Sequence, residues 1–255
     1  MRKLLNLLAR NRERAPAAIK AEGNVIYVYD VIVASDEDAA WFGGCSAETF
    51  VKTLRGMTGP VAVRINSPGG DVFGGRAMAS AMREYSDKIT AHVDGFAASA
   101  ASLIAVSADN CQMAPGSFLM IHKAWTIALG NADDFLATAS LLEKIDGSLV
   151  DTYRVKAGDG QDWSALLSAE TWLSAQEAVD IGLADAVSEQ AVKNAVAWDL
   201  SAYEAPPAMG EPAEVADLAA GVSATIEATY DAANAAEEQQ RRARISALRL
   251  RSIAA

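Results

Sequence analysis

The stretch Val93-Asp-Gly-Phe-Ala-Ala-Ser99-Ala-Ala-Ser102 constrains this chain more than any other. A strand-like lead-in, Ile89 to Val93, meets one glycine and then a run of small residues around Ser99. Apolar Leu103, Ile104, Ala105 and Val106 continue it as a helix. A serine at such a strand-to-helix junction sits where first-turn N–H groups lack helical partners and the helix dipole favours negative charge. That setting suits an alkoxide or a tetrahedral oxyanion, and small neighbours let a carbonyl approach the backbone closely. Taken alone, the same residues also fit a small side chain packed under a helix.

The flanking sequence repeats the strand-then-helix alternation. Asn24 to Val33 and Val61 to Asn66 read as strands, the second ending at Ser67-Pro-Gly-Gly-Asp71. Ser46, with Glu48 behind it, caps one helix, and another runs through Ala77, Met78, Ala81 and Met82. Lys88 to Val93 is a third strand, followed by the Ser99 helix and short strands at Asn110–Met113 and Phe118–His122. Asn131-Ala-Asp-Asp134 opens a long helix whose Phe135, Leu142, Ile145, Leu149 and Tyr153 mark a stripe for the core or a subunit interface. Ser174-Ala-Gln-Glu177 is a capping box, with Gly182 as the stop. This order predicts an α/β fold.

Four segments are expected. Residues 1–23 form a basic arm and 24–198 the main domain, with Ala15 to Gly23 as connector. A Pro-rich linker covers 199–212, and an acidic-to-basic helical tail covers 213–255, ending in Arg241, Arg242, Arg244, Arg249 and Arg251. The tail reads either as a solvated end or as a helix that pairs with another subunit or an assembly partner. The Leu4–Ala9 run is broken by Asn6 and followed by Arg10, Arg12 and Arg14, so a secretory signal is not expected. With 33 acidic against 22 basic residues, the net charge of −11 disfavours nucleic acid or an anionic membrane as partner. Cys45 and Cys111, widely spaced, offer neither a metal cluster nor a disulfide framework, and a reduced cytoplasmic setting is expected. No metal or cofactor is expected.

Amide hydrolysis needs a nucleophile, a base, a group that orients the base, and oxyanion donors. Of the two histidines, His92 lies within a strand and His122 ends one. In Ser67-Pro-Gly-Gly70 the proline fixes φ and the glycines permit close approach, as a tight turn also requires; no Gly-Lys-Ser/Thr follows to make a phosphate loop. In order along the chain stand Arg64-Ile-Asn-Ser-Pro-Gly-Gly-Asp71, Gly95-Phe-Ala-Ala-Ser-Ala100, Met120-Ile-His122, and Trp172-Leu-Ser-Ala-Gln-Glu-Ala178 through Gly182-Leu-Ala-Asp185. With these motifs the sequence resembles the proteolytic subunit of the Clp protease family from about Asn24 to Val187, closest to the phage branch of head maturation (prohead) proteases.

The resemblance implies a Clp/crotonase-like spiral of βαβ units and a serine endopeptidase that uses no cofactor. By position Ser99 would be the nucleophile and His122 the general base, with backbone N–H groups of Gly70 and Ala100 as oxyanion donors. Where the family carries an orienting aspartate this chain has Glu170, one methylene longer; Asp151, Asp162 and Asp180 are alternatives. Subunits would form homo-oligomeric rings acting on protein or peptide substrates. Head maturation enzymes cleave capsid or scaffold chains in the assembling prohead in the host cytoplasm, and the tail would dock on a capsid partner. Housekeeping Clp subunits instead work with an ATP-driven unfoldase. The rivals are a crotonase-type acyl-CoA enzyme, a Ser–Lys peptidase using Lys123, and a non-catalytic ring or scaffold protein.

Overall fold

The computed structural model describes residues 19–189, 200, 203–204 and 206–207. The basic run of the arm and the 213–255 tail lie outside the described residues. The fold is mixed α/β. Strands β1 (Lys20–Glu22), β2 (Val25–Val28), β5 (Val61–Ser67), β6 (Ile89–Ala98), β7 (Asn110–Met113) and β10 (Ala186–Val187) form one sheet in the order β1-β2-β5-β6-β7-β10. Strand β8 (Phe118–Ile121) branches from β6 and carries β9 (Thr171–Ser174) antiparallel to it. Strands β3 (Ile32–Val33) and β4 (Cys45–Ser46) pair separately.

Among the described residues seven helices connect the strands: α1 (Asp36–Phe42), α2 (Ala47–Arg55), α3 (Val72–Glu84), α4 (Ala100–Val106), α5 (Ala132–Ala157), α6 (Trp163–Ser168) and α7 (Ala175–Asp180). Helix α4 is apolar nearly all round, and every one of its residues is buried. It can come close to α3 because Gly75 lacks a side chain: a Cβ there would stand 2.9 Å from the Ala100 carbonyl oxygen. Burying Leu103 and Ile104 contributes roughly 1.5–3 kcal/mol each.

Three local expectations are corrected. The single strand expected over Asn24–Val33 is two, because the Asp30 carboxylate accepts the Val31 N–H at 2.7 Å and turns the chain between β2 and β3. Within the stretch expected as connector, Lys20–Glu22 is a strand, since pairing with β2 overrides the weak strand propensity of Lys, Ala and Glu. Strand β6 does not stop at Val93 but runs on to Ala98.

That extension builds the site. Between β5 and β6 the register slips: Ile65 faces Val93, but Ser67 faces Ala97. The Asn66 side-chain oxygen fills the irregularity by accepting the Phe96 N–H at 3.1 Å. Gly95 is required there, because a Cβ would stand 2.5 Å from that oxygen. Past this bulge β6 changes neighbour, from β7 (Thr90–Val93) to β8 (Phe96–Ala98). Ser99, which follows β6, thereby comes beside His122, which follows β8.

Helix α5 begins as expected, with Asn131 forming a capping box with Asp134. Its stripe is buried only in the second half. Leu149 and Tyr153 are buried, Leu142 and Ile145 are half-buried, and Phe135 is 51% exposed because the N-terminal half of α5 projects beyond the sheet's cover.

Candidate active site

Ser99 occupies the N-cap of α4 with φ 54° and ψ −122°, and its side chain makes no capping hydrogen bond. An L-residue at positive φ costs of order 1–3 kcal/mol and persists only where its surroundings enforce it. Here the Ser99 N–H donates to the Met120 carbonyl at 2.9 Å, tying the junction to β8. The Ser99 carbonyl accepts from the Ser102 hydroxyl at 2.6 Å, and that hydroxyl in turn meets the buried Tyr153 hydroxyl at 2.8 Å. With the backbone held from both sides, the Ser99 hydroxyl is left to donate to His122 Nε2 at 2.7 Å.

Among the described residues only one other non-glycine residue has a positive φ, Glu170 at 48°. Glu170 follows α6 and precedes β9; its Oε1 accepts the Trp172 indole N–H at 3.3 Å and the Glu204 backbone N–H at 2.7 Å. Burial pushes the His122 pKa below the ordinary histidine range, and the negative charges of Glu170 and then Asp146 oppose that shift. The imidazole is therefore neutral at neutral pH, with Nε2 able to accept a proton. Two carboxylates thus act on His122 electrostatically, while its Nε2 meets the Ser99 hydroxyl.

The Ser-Pro-Gly-Gly turn lies against Ser99. A Cβ on Gly69, whose φ is +94°, would stand 2.6 Å from the Ala98 carbonyl oxygen, 2.8 Å from the Ser99 Cβ and 3.2 Å from the Ala100 nitrogen. Ser67 secures the turn by donating to the Asp30 carbonyl at 2.6 Å, and Ile32 brackets Gly70 through Ile32 N–H to Gly69 O (2.8 Å) and Asp71 N–H to Ile32 O (2.9 Å). Neither the Gly70 nor the Ala100 N–H has an acceptor among the described residues. A cavity of about 570 Å³ opens over Ser99 and His122, walled by Leu142, Ile145 and Leu149 of α5.

The other candidates fall elsewhere. Asp162 caps α6 through the Ala165 N–H, Asp151 pairs with Arg154, and Asp180 accepts from Gln176. The Lys123 side chain is exposed, and His92 lines a separate surface with Arg64 and Asp94. No group of three or more His, Cys, Asp or Glu side chains among the described residues is disposed to hold a metal ion. Among those residues, too, no helix is long and apolar enough to cross a membrane.

Two neighbours of His122 escaped the sequence reading. Asp146 falls at helical spacing between Leu142 and Leu149, and a charge within an apolar stripe was the signal for it. Tyr203 lies in the stretch read as a linker, yet it is buried with its ring edge-on to His122 at 5.5 Å. An aromatic among prolines was its only sign.

A serine hydroxyl is thus hydrogen-bonded to an imidazole on a mixed α/β scaffold. The family model described as Clp protease matches residues 50–191, more than half of the chain, and the chain belongs to that family. It is 33% identical over 135 residues to the ATP-dependent Clp protease proteolytic subunit 1 of Protochlamydia amoebophila, covering 50% of this chain and 65% of that one. The ATP-dependent Clp protease proteolytic subunit of Bacteroides fragilis is 32% identical over 131 residues, 50% of this chain and 63% of the relative. Subunit 1 of Chlamydia abortus is 31% identical over 133 residues, 50% and 69% respectively. The match therefore spans less than two thirds of the first two relatives.

Proposed function

We propose that this chain is a serine endopeptidase that hydrolyses peptide bonds without a cofactor. The observation that carries the reading is the 2.7 Å hydrogen bond from Ser99 to His122 at a strained junction between β6 and α4. In the proposed reaction His122 Nε2 takes the hydroxyl proton as Ser99 Oγ attacks the scissile carbonyl carbon. The oxyanion is met by the N–H groups of Gly70 and Ala100. Collapse breaks the C–N bond, the imidazolium protonates the leaving amine, and water then releases the acyl group by the same base. Glu170 stabilises the imidazolium. The apolar wall of Leu142, Ile145 and Leu149 favours an apolar side chain next to the cleaved bond.

For the biological setting we propose head maturation: self-assembly into rings in the host cytoplasm or assembling prohead, cleavage of capsid or scaffold chains, and recruitment through the 213–255 tail beyond a 24–198 protease domain. The acidic-to-basic pattern of that tail supports this setting. A second reading, a subunit fed by an ATP-driven unfoldase, draws on the relatives' names, which describe ATP-dependent proteases.

The test of the chemistry is a fluorophosphonate probe. It should label Ser99 and leave Ser99→Ala unlabelled; labelling elsewhere, or hydrolysis undiminished in Ser99→Ala, refutes it. Co-expression with a capsid-type chain, against assay with an ATP-driven unfoldase and a folded substrate, separates the two settings.

A further inference from the structure

Tyr203 lies beyond the residues that match the family, yet it touches most parts of the site. Its hydroxyl donates to the Pro68 carbonyl, in the turn that carries Gly69 and Gly70. Its ring stands edge-on to His122 (5.5 Å, 90°) and to Trp172 (5.6 Å, 79°). The next residue, Glu204, gives its N–H to Glu170 Oε1 at 2.7 Å. Leu200 and Tyr203 also complete a small apolar core with Phe96 and Ala98, on the segment of β6 that leads into Ser99, and with Met120 of β8.

We propose that Tyr203 is a positioning residue for His122, supplied from outside the family-matched region, and that with Leu200 and Glu204 it completes the catalytic site. This rests on the reading of Ser99 and His122 as nucleophile and base. Three observations set a positioning role apart from a blocking one. Tyr203 is an integral part of a core rather than a peptide laid in the cavity. Its hydroxyl is engaged by the Pro68 carbonyl and also reaches the Ser99 side chain, while the Gly70 and Ala100 N–H groups have no acceptor among the described residues. Tyr203 forms one wall of the cavity of about 570 Å³ that Ser99 and His122 also line.

An imidazole base must keep Nε2 aligned with the serine hydroxyl while its ring changes charge. A ring edge fixed at Pro68 restricts rotation of His122, and its bulk keeps water off the imidazole. Glu170 from the turn before β9, Asp146 from α5, the Ser99 hydroxyl and the phenol of Tyr203 itself are the polar and titratable groups facing His122. Burial keeps that phenol protonated, so it adds no charge.

The test uses the full chain with Tyr203→Leu, which retains apolar bulk against Phe96 and Met120, and Tyr203→Phe, which retains the ring. Two readouts are taken: kcat and KM on a fluorogenic peptide, and the NMR titration of the His122 imidazole. With only two histidines, His92→Gln assigns the signals. Tyr203→Leu should lower kcat about 10- to 100-fold with little change in KM, as expected for a misaligned base. It should also move the His122 titration up toward the ordinary histidine range. Tyr203→Phe should restore the titration and most of kcat. An unchanged kcat and titration in Tyr203→Leu, or a kcat raised above the parent, overturns the proposal; a raised kcat would make the segment a blocker. If the parent neither hydrolyses peptide nor reacts with the fluorophosphonate, the peptidase reading fails by itself. The His122 titration still decides whether Tyr203 governs the imidazole.

Discussion

Two kinds of partner act on the His122 ring, and they are built differently. On the Nε2 side the partner is a single atom, the Ser99 hydroxyl at 2.7 Å, fixed by a strained backbone, a strand hydrogen bond and the Ser102–Tyr153 pair behind it. Acting on the ring electrostatically are two carboxylates from separate parts of the chain, Glu170 and Asp146, each also committed to a backbone amide: Glu204 N–H at 2.7 Å and Ala124 N–H at 2.8 Å. The nucleophile must be placed to within a fraction of an ångström to attack. Stabilising an imidazolium is a longer-range electrostatic task that more than one carboxylate can share. The first kind therefore tolerates almost no substitution and the second tolerates redistribution.

Ser99→Ala should break this contrast most deeply, lowering peptide turnover by about 10⁴-fold or more while melting at the parent temperature. Residual turnover within about tenfold of the parent would place the nucleophile elsewhere. Gly69→Ala comes next. It puts a Cβ against the Ala98 carbonyl and the Ser99 side chain at a φ of +94°, and turnover should fall by about 10²-fold or more. Comparable activity would mean that the turn moves aside at little cost.

The carboxylate side is sharpened by comparing Glu170→Gln with Asp146→Asn. Glu170 opposes the burial shift of His122 more than Asp146 does, so its amide should cost about 10²-fold in kcat against less than about tenfold for the other. The reverse order would hand the orienting role to Asp146. Both amides remove a negative charge that favours the imidazolium, so both should move the acidic limb of the kcat/KM profile to lower pH. A limb moving to higher pH in either variant would show that the removed charge does not act on His122 as described.

The smallest effect concerns the support beneath the Ser-Pro-Gly-Gly turn. Burial pushes the Asp30 carboxyl up to about 6, and among the described residues its Oδ2 has no hydrogen-bond partner. Because the folded-state pKa lies above the unfolded one, ionisation weakens the fold as pH rises from about 4 to about 6, and the deficit persists above that window. Asp30→Asn should therefore stabilise the chain by about 2 kcal/mol at pH 8 and change little at pH 4, read by denaturant unfolding at both pH values. Equal effects at the two pH values would show that Asp30 is not a buried titrating group.

Much of the site was legible because its parts are local. Ser99 announces itself through small neighbours and an apolar helix behind it, the turn through Pro68, Gly69 and Gly70, and His122 through its place at a strand end. The long helix was legible through the Asn131–Asp134 cap, and its exposed Phe135 was not, since periodicity marks an apolar stripe without saying how far its partner extends. The strand boundary at Val93 was misjudged because Gly95 reads as a breaker, whereas Asn66 from the neighbouring strand makes it a bulge.

Sequence by itself determined the chemistry available: one serine at a junction, one histidine at a strand end, a glycine turn, and the membership of a family in that order. Only the tertiary structure decided which groups face the imidazole. Asp146 is 24 residues beyond His122 and Tyr203 is 81 beyond it. Neither leaves a local pattern pointing to that ring, because burial and distance through space are set by how β6 passes from β7 to β8.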